Sequence, residues 1–330
     1  MSTSSTSSFK RLARDLLLIF LLVVLGDALV GWLVVPLFQP ERAGRFRAGE
    51  PDPNHPYGLL RSAVLSEADL LILGSSRALA HYDDKLLSEQ LGLRAYNAGS
   101  PGLGLLQARA TFALAQKHHS VRYVLFDLVY VPREDHMIHR LEPWLGRDPV
   151  IDQVLDSSDW RDRLKMRSSA YRCGGSLFDL LQDYGKSPAR WGYRPKAGEM
   201  SSPLPPQLEE QSSPLELPAY YSKNLEAFAG QVEAAGARLI FVESPSWQQS
   251  APDVPTTALR AATLQVSQSH RIPVLKMGLN ELPQLAQPQR FSDAFHLNAS
   301  GAEEFSLRLA EKLRPLLDTF SVSGRSESND

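Results

Sequence analysis

The 330-residue chain has a single cysteine, Cys173, so no intrachain disulfide can form. A thiolate metal centre is excluded on the same ground. That usage suits a cytosolic protein and equally a bacterial envelope protein built without disulfides. Neither sign of charge is in excess: 35 Lys and Arg stand against 37 Asp and Glu. Nothing in the bulk charge suggests a nucleic-acid partner. No Walker or dinucleotide-binding spacing is present; "GSPGLG", from Gly99, matches neither. No serine sits in Gly-x-Ser-x-Gly, so the nucleophile elbow of the α/β-hydrolases is not supported. The chain calls for no cofactor.

What is present begins with a long apolar run. Leu16 to Gln39 carries one charge, Asp27, after a polar, basic start with Lys10, Arg11 and Arg14. As a helix this stretch would be about 36 Å long, enough to cross a bilayer. An uncleaved anchor is the expected reading, a signal peptide its rival, since no small-x-small cleavage site follows. Arg42, Arg45 and Arg47 follow the run, so the positive-inside count is near a tie. A short tail before a large domain argues for the N-terminus inside. The expected location is the bacterial inner or cytoplasmic membrane, single-pass, with the C-terminal domain extracytoplasmic. Asp27 is costly in such a span and hence a candidate functional residue; pairing with a neighbouring helix, or a place where the bilayer is deformed, is the blander reading.

Residues 40–66 are rich in Pro, Gly and charge and read as a linker. From there strands and helices alternate. "DLLILG", "LRAYNAG", "VRYVLFDLVYV", "ARLIFVESP" and "IPVLKM" are apolar runs expected to be five buried strands. The rhythm breaks over 132–218, read as an insertion in a domain spanning 67–316. Helices are expected around 151–167 and 174–185. Residues 317–330 read as a disordered tail. The alternation predicts α/β architecture: a parallel sheet in an α/β/α sandwich, with ligands beyond the carboxyl ends of the strands.

At that place, after the first strand, stand Gly74, Ser75, Ser76 and Arg77. A serine nucleophile needs a base, and the base an orienting group. The chain offers one compact pair, Asp293 and His296 in "FSDAFHLN" after the last strand. An offset of three at a turn can bring the carboxylate to the imidazole Nδ1, leaving Nε2 for a serine. Other chemistry-bearing residues have blander readings. His136 and His139 in "EDHMIH" could hold a metal but fall in a loop. Cys173 reads as structural. Asn298 or Ser300 suits a helix cap.

Together these segments resemble the SGNH or GDSL hydrolase family. "ILGSSRA" resembles its first block, which would make Ser76 the nucleophile, with Ser75 in the place of the usual aspartate. "YNAGSPG" resembles the second block. The resemblance implies an oxyanion hole from the backbone N–H groups of Ser76 and Gly99, with Arg77 and Asn97 as substrate contacts. Arg77 is equally suited to an ion pair within its loop. "DAFHLN" resembles the last block, Asp-x-x-His. The third block departs: its Gly-x-Asn-Asp is replaced by "FDLVYVP", with Asp127 and no asparagine. Losing one oxyanion donor costs about 2.7–4 kcal/mol of transition-state stabilisation. The anchor and the altered blocks also look like the SGNH-like proteins of envelope acylation, which work beside membrane-bound acyltransferases. The resemblance therefore implies a serine esterase or O-acyltransferase acting on an acylated glycan or envelope polymer. A non-catalytic accessory subunit and a lipid-directed esterase are the other readings.

Overall fold

The computed structural model describes residues 4–34, 56–128, 138–146, 148–174, 192–200, 217–247 and 254–326. Ten α-helices with assigned bounds lie among them: α1 (Ser4–Leu33), α2 (Pro56–Leu65), α3 (Ser76–His81), α4 (Asp84–Leu91), α5 (Leu105–His118), α6 (Pro149–Asp156), α7 (Trp160–Arg167), α8 (Leu217–Ala234), α9 (Val254–Ser269) and α10 (Ala299–Ser326). The strands are β1 (Leu70–Leu73), β2 (Ala95–Asn97), β3 (Tyr123–Asp127), β4 (Arg238–Glu243) and β5 (Val274–Lys276). All pair in parallel, in the order β2-β1-β3-β4-β5.

Every residue of β1 and β3 is buried, which is why these strands read as unbroken apolar runs rather than alternating ones. Leu71, Leu73, Val124, Phe126 and Phe241 face Phe112 of α5, Phe228 of α8 and Val266 of α9. Leu70, Ile72, Leu125, Ile240 and Val242 face the other way, onto Tyr82, Leu87 and the α10 residues Phe305, Leu309 and Leu313. The sandwich expected from the sequence is formed.

The 132–218 insertion is not a free loop where it is described. Its Ile138, Leu141, Ile151, Val154 and Met166 cover the outer side of α5, through Leu106, Ala110 and Leu114. That explains α5, which the sequence presents as amphipathic but which is buried on both sides. Arg109 of α5 pins the arrangement, its guanidinium donating to Ser157 Oγ (2.7 Å) and Asn224 Oδ1 (3.2 Å). The helices expected around 151–167 are α6 and α7, each opened by an aspartate cap, Asp148 and Asp159. The one expected at 174–185 lies almost wholly outside the described residues, as does most of "EDHMIH". Cys173 is buried.

Three expectations are corrected. Residues 56–65, placed in the linker, form α2, which starts at Pro56 and buries Leu60 and Ala63. Pro at a first helical position starts a helix rather than breaking a chain. The tail placed from 317 is helical to Ser326, because α10 continues through Pro315. Asp27 needs no partner helix: its carboxylate accepts from Ser168 Oγ (2.7 Å) and from the backbone N–H groups of Ser169 (3.1 Å) and Ala170 (2.8 Å). Up to Gly26 the described part of the apolar helix α1 is exposed. Its stretch Phe9–Leu33 is long and apolar enough to cross a membrane, and its most apolar window is not buried. An anchor and a signal sequence both have this character.

Candidate active site

β1 delivers the chain to Gly74, whose φ is +148°. A Cβ there would lie 2.8 Å from Ala78 Cβ and 2.9 Å from Asp127 Cβ, so only glycine fits. Ser75 follows in extended conformation as N-cap of α3, its Oγ accepting a long 3.4 Å contact from the Arg77 N–H. Ser76 is the first residue of the helix. The two serines thus divide: Ser75 caps, and Ser76 points across the sheet edge. Ser76 Oγ lies 2.8 Å from His296 Nε2.

His296, the candidate base, sits in a tight loop after β5. Phe291 bridges Leu297, and the Ser292 N–H donates to the His296 carbonyl (2.9 Å). Asp293 Oδ1 accepts the backbone N–H groups of Phe295 (2.9 Å) and His296 (3.0 Å), which locks the turn. The same carboxylate meets His296 Nδ1 at 2.8 and 3.0 Å. Nδ1–H donating to Asp293 leaves Nε2 as acceptor for the Ser76 hydroxyl. Asn298 caps the following helix: its Oδ1 accepts the Gly301 N–H (3.0 Å), and its Nδ2 donates to Gln289 (2.6 Å) and Gly198 (3.1 Å) carbonyls.

Two residues that the sequence did not single out complete this cluster. Lys196 Nζ stands 3.0 Å from Asp293 Oδ2 and 3.1 Å from His296 Nδ1. With Nδ1 protonated toward Asp293, the second contact is a charge effect rather than a hydrogen bond. Lys196 comes from the end of the insertion, held by Arg194 N–H to Leu79 O (3.0 Å), Ala299 N–H to Lys196 O (3.1 Å) and Met200 N–H to Phe291 O (2.8 Å). His81 is fully buried, and its Nε2 accepts the Leu297 N–H at 3.0 Å, one residue from the base. Burial, then the nearby Arg77 cation, holds its pKa well below 6.5. It therefore stays neutral and able to accept. Neither had a local signal: Lys196 lies 97 residues from Asp293, and His81 lies 216 from Leu297.

Burial would raise the Asp293 pKa, but the Phe295 N–H, Lys196 and His296 offset it and bring it to about 2. Burial lowers the His296 pKa; Asp293 opposes this, while Lys196 and Arg77 add to it. The imidazole is therefore neutral above an acid limb that starts below 6.5. Removing the Lys196 charge should make the imidazolium easier to form. Lys196→Met is expected to move the acid limb of kcat/KM to higher pH, with little change on the neutral plateau. An unmoved limb would mean that Lys196 does not act on the base.

The remaining expected contacts turn inward. Asn97 is buried, and its Nδ2 donates to the Ala78 and Tyr82 carbonyls (both 2.8 Å). Its Oδ1 accepts the Gly99 N–H at 2.9 Å, so the donor expected for an oxyanion hole is already engaged. Asn97 thus holds the second-block loop against α3; Gly99 packs where a Cβ would meet the Leu79 nitrogen at 2.5 Å. Arg77 Nε lies 3.4 Å from Asp127 Oδ2, and its Nη2 donates to the Leu128 carbonyl (3.1 Å). Asp127 Oδ1 accepts from Tyr82 OH (2.7 Å). In the structure Arg77 is an ion-pair partner of the third-strand aspartate. Among the described residues no group of three or more metal-ligating side chains occurs.

Neither a family model nor a curated protein matches the sequence. Among solved structures the chain is similar to an α/β hydrolase enzyme from the metagenome of Lake Arreo (12% identity, TM-score 0.41, covering 74% of this chain and 95% of that one). It is also similar to a psychrotrophic esterase from Pseudoalteromonas sp. (12%, 0.42, 76% and 98%). A lipase/acylhydrolase from Enterococcus faecalis is a third (11%, 0.38, 74% and 95%).

Proposed function

We propose that this chain is a membrane-anchored SGNH-type serine esterase or O-acyltransferase that works through an acyl-Ser76 intermediate. The observation that carries the reading is the unbroken contact from Ser76 Oγ through His296 to Asp293, at 2.8 Å for each step. His296 Nε2 takes the hydroxyl proton as Oγ attacks the acyl carbonyl, and returns it to the leaving alcohol as the tetrahedral intermediate collapses. An incoming hydroxyl, of water or of a glycan, is then deprotonated by the same nitrogen and attacks the acyl carbon; the acyl–Oγ bond breaks and His296 returns that proton to Ser76 Oγ. Asp293 keeps Nδ1 protonated and the ring oriented. The Ser76 N–H, at the start of α3, serves the oxyanion. Phe295, 47% exposed beside the base, offers an apolar face to an acyl chain or a sugar ring. An acylated glycan or envelope polymer is the substrate class, the α1 anchor holds the site at the membrane, and a membrane-bound acyltransferase is the natural partner. The C-terminal domain is extracytoplasmic in this reading.

The engaged Gly99 N–H favours one rival, an accessory subunit that binds without catalysis. The test pairs two measurements. Full-length protein in detergent should hydrolyse p-nitrophenyl acetate slowly, and a deletion strain should carry an under-acylated envelope polymer, restored by the wild type and not by Ser76→Ala. An over-acylated polymer would make the protein an esterase and sink the transferase reading. Full restoration by Ser76→Ala, with no ester turnover, would establish the accessory subunit.

A further inference from the structure

The anchor and the insertion meet at one joint, and what surrounds the anchor must also meet the insertion there. Asp27 of α1 accepts hydrogen bonds from Ser168, Ser169 and Ala170. At Gly31 the helix comes so close that a Cβ would stand 2.7 Å from Ser169 Oγ. Ser168 is the C-cap of α7. This helix buries Asp162 and Met166 and turns Trp160, Arg163, Leu164 and Arg167 outward. The spacing i, i+3, i+4, i+7 puts those four on one stripe. Trp160 and Leu164 are each 58% exposed, a large apolar pair flanked by two arginines.

We infer that this stripe of α7 lies in the headgroup layer of the bilayer that α1 crosses, with an anionic phospholipid surface as its partner. The inference rests on the anchored reading above. Its first support is the joint: lipid packed around α1 reaches Ser168, and hence α7, without a gap. A second is length. Only Leu16 to Gly26 separates Asp15 from Asp27, a rise of about 18 Å. That is well short of a hydrocarbon core of about 30 Å. Arg11 and Arg14 can snorkel at one end. At the other end the bilayer must come up to the Asp27 joint, which presses the domain onto the surface. The third support is chemistry. Trp sits at the headgroup level, Leu inserts its side chain below it, and Arg163 and Arg167 meet lipid phosphates.

The test uses the full chain in nanodiscs containing phosphatidylglycerol. An NBD fluorophore is placed at Leu164→Cys, and at Leu264→Cys on α9 as an equally exposed control; Cys173, 2% exposed, stays unlabelled. The probe at 164 should emit to the blue and be quenched by doxyl lipids, while the probe at 264 should do neither. Adding Arg163→Glu and Arg167→Glu should abolish the quenching at 164. Carbonate extraction of native membranes checks the anchor separately. A water-like, unquenched probe at 164 in a carbonate-resistant protein would overturn the inference and leave the anchor standing. A blue shift without lipid quenching would put protein, such as a second copy, on this face and equally overturn it. Release by carbonate would overturn the anchored reading and this inference with it.

Discussion

Asp293→Asn is expected to cut turnover of an activated ester by about 10⁴-fold while leaving the fold unchanged. The size of the effect follows from the tautomer. In the native loop the Asp293 carboxylate accepts from Nδ1 at 2.8 Å, which leaves Nε2 unprotonated and 2.8 Å from Ser76 Oγ. An amide in that place can donate to Nδ1 and so stabilise the tautomer whose Nε2 already holds a proton. That ring cannot accept the serine hydroxyl proton. The fold should survive, because an asparagine Oδ1 can still accept the Phe295 and His296 N–H groups that close the turn. Ser76→Ala should in addition abolish covalent labelling by a fluorophosphonate, and Ser75→Ala should not, since Ser75 caps α3. Full turnover in Asp293→Asn, at an unchanged thermal midpoint, would remove the triad. Labelling lost with Ser75→Ala alone would move the nucleophile by one residue.

The parts of this site that were legible in the sequence are the parts made locally. β1 and β3 are buried on both faces, so they read as continuous apolar runs, and the alternation with helices gives the parallel sheet. Asp293 and His296 lie three apart and form their contact within one turn. Gly74 and the two serines follow a strand end, where such sheets place ligands. What was not legible is made across distance. His81 looks like a stray histidine on a short apolar helix until Leu297, from the other end of the domain, donates to it. Lys196 sits in a segment, 192–200, that docks against α3, the Phe291 loop and the start of α10. Its charge near Asp293 has no counterpart in local pattern. Asp27 misled for the same reason: a carboxylate in an apolar helix signals a partner but not which one, and here the partner is 141 residues away in the same chain. The roles of Arg77 and Asn97 turned on direction. Both stand beside Ser76 or its supporting loop, but whether each faces substrate or interior depends on which groups the strand ends present. The structure presents Asp127 to one and the backbone carbonyls of α3 to the other.

Asp127→Ala is expected to destabilise the domain by about 3–5 kcal/mol, because it strands Arg77 beside the sheet edge without its counter-charge. Asp127 has no exposed side-chain surface and Arg77 only 15%, so water can do little to compensate. Tyr82 loses its acceptor at the same time, and burial already pushes that hydroxyl's pKa well above 10, followed by the Asp127 charge beside it. For a domain of this size the loss corresponds to a fall in thermal midpoint on the order of 10 °C. Removing both charges should cost much less than removing one. Arg77→Met with Asp127→Ala leaves no buried ion, and most of the stability should return, as the thermodynamic cycle through both single variants will measure. The same cycle decides what Arg77 does. If its work is the ion pair, Arg77→Met alters stability in step with Asp127 and leaves KM for an anionic ester unchanged. If Arg77→Met raises KM, and Asp127→Ala unfolds at the wild-type midpoint, then the guanidinium serves the substrate and the ion pair is incidental. Either result also tests how the altered third block works. In this chain Asp127 spends both carboxylate oxygens on the scaffold, one on Arg77, inside the helix that begins with Ser76, and one on Tyr82, at that helix's C-cap. The residue that stands at the end of β3 thus supports the helix carrying the proposed nucleophile instead of supplying an oxyanion donor, and losing it should loosen Ser76 before it changes any chemistry.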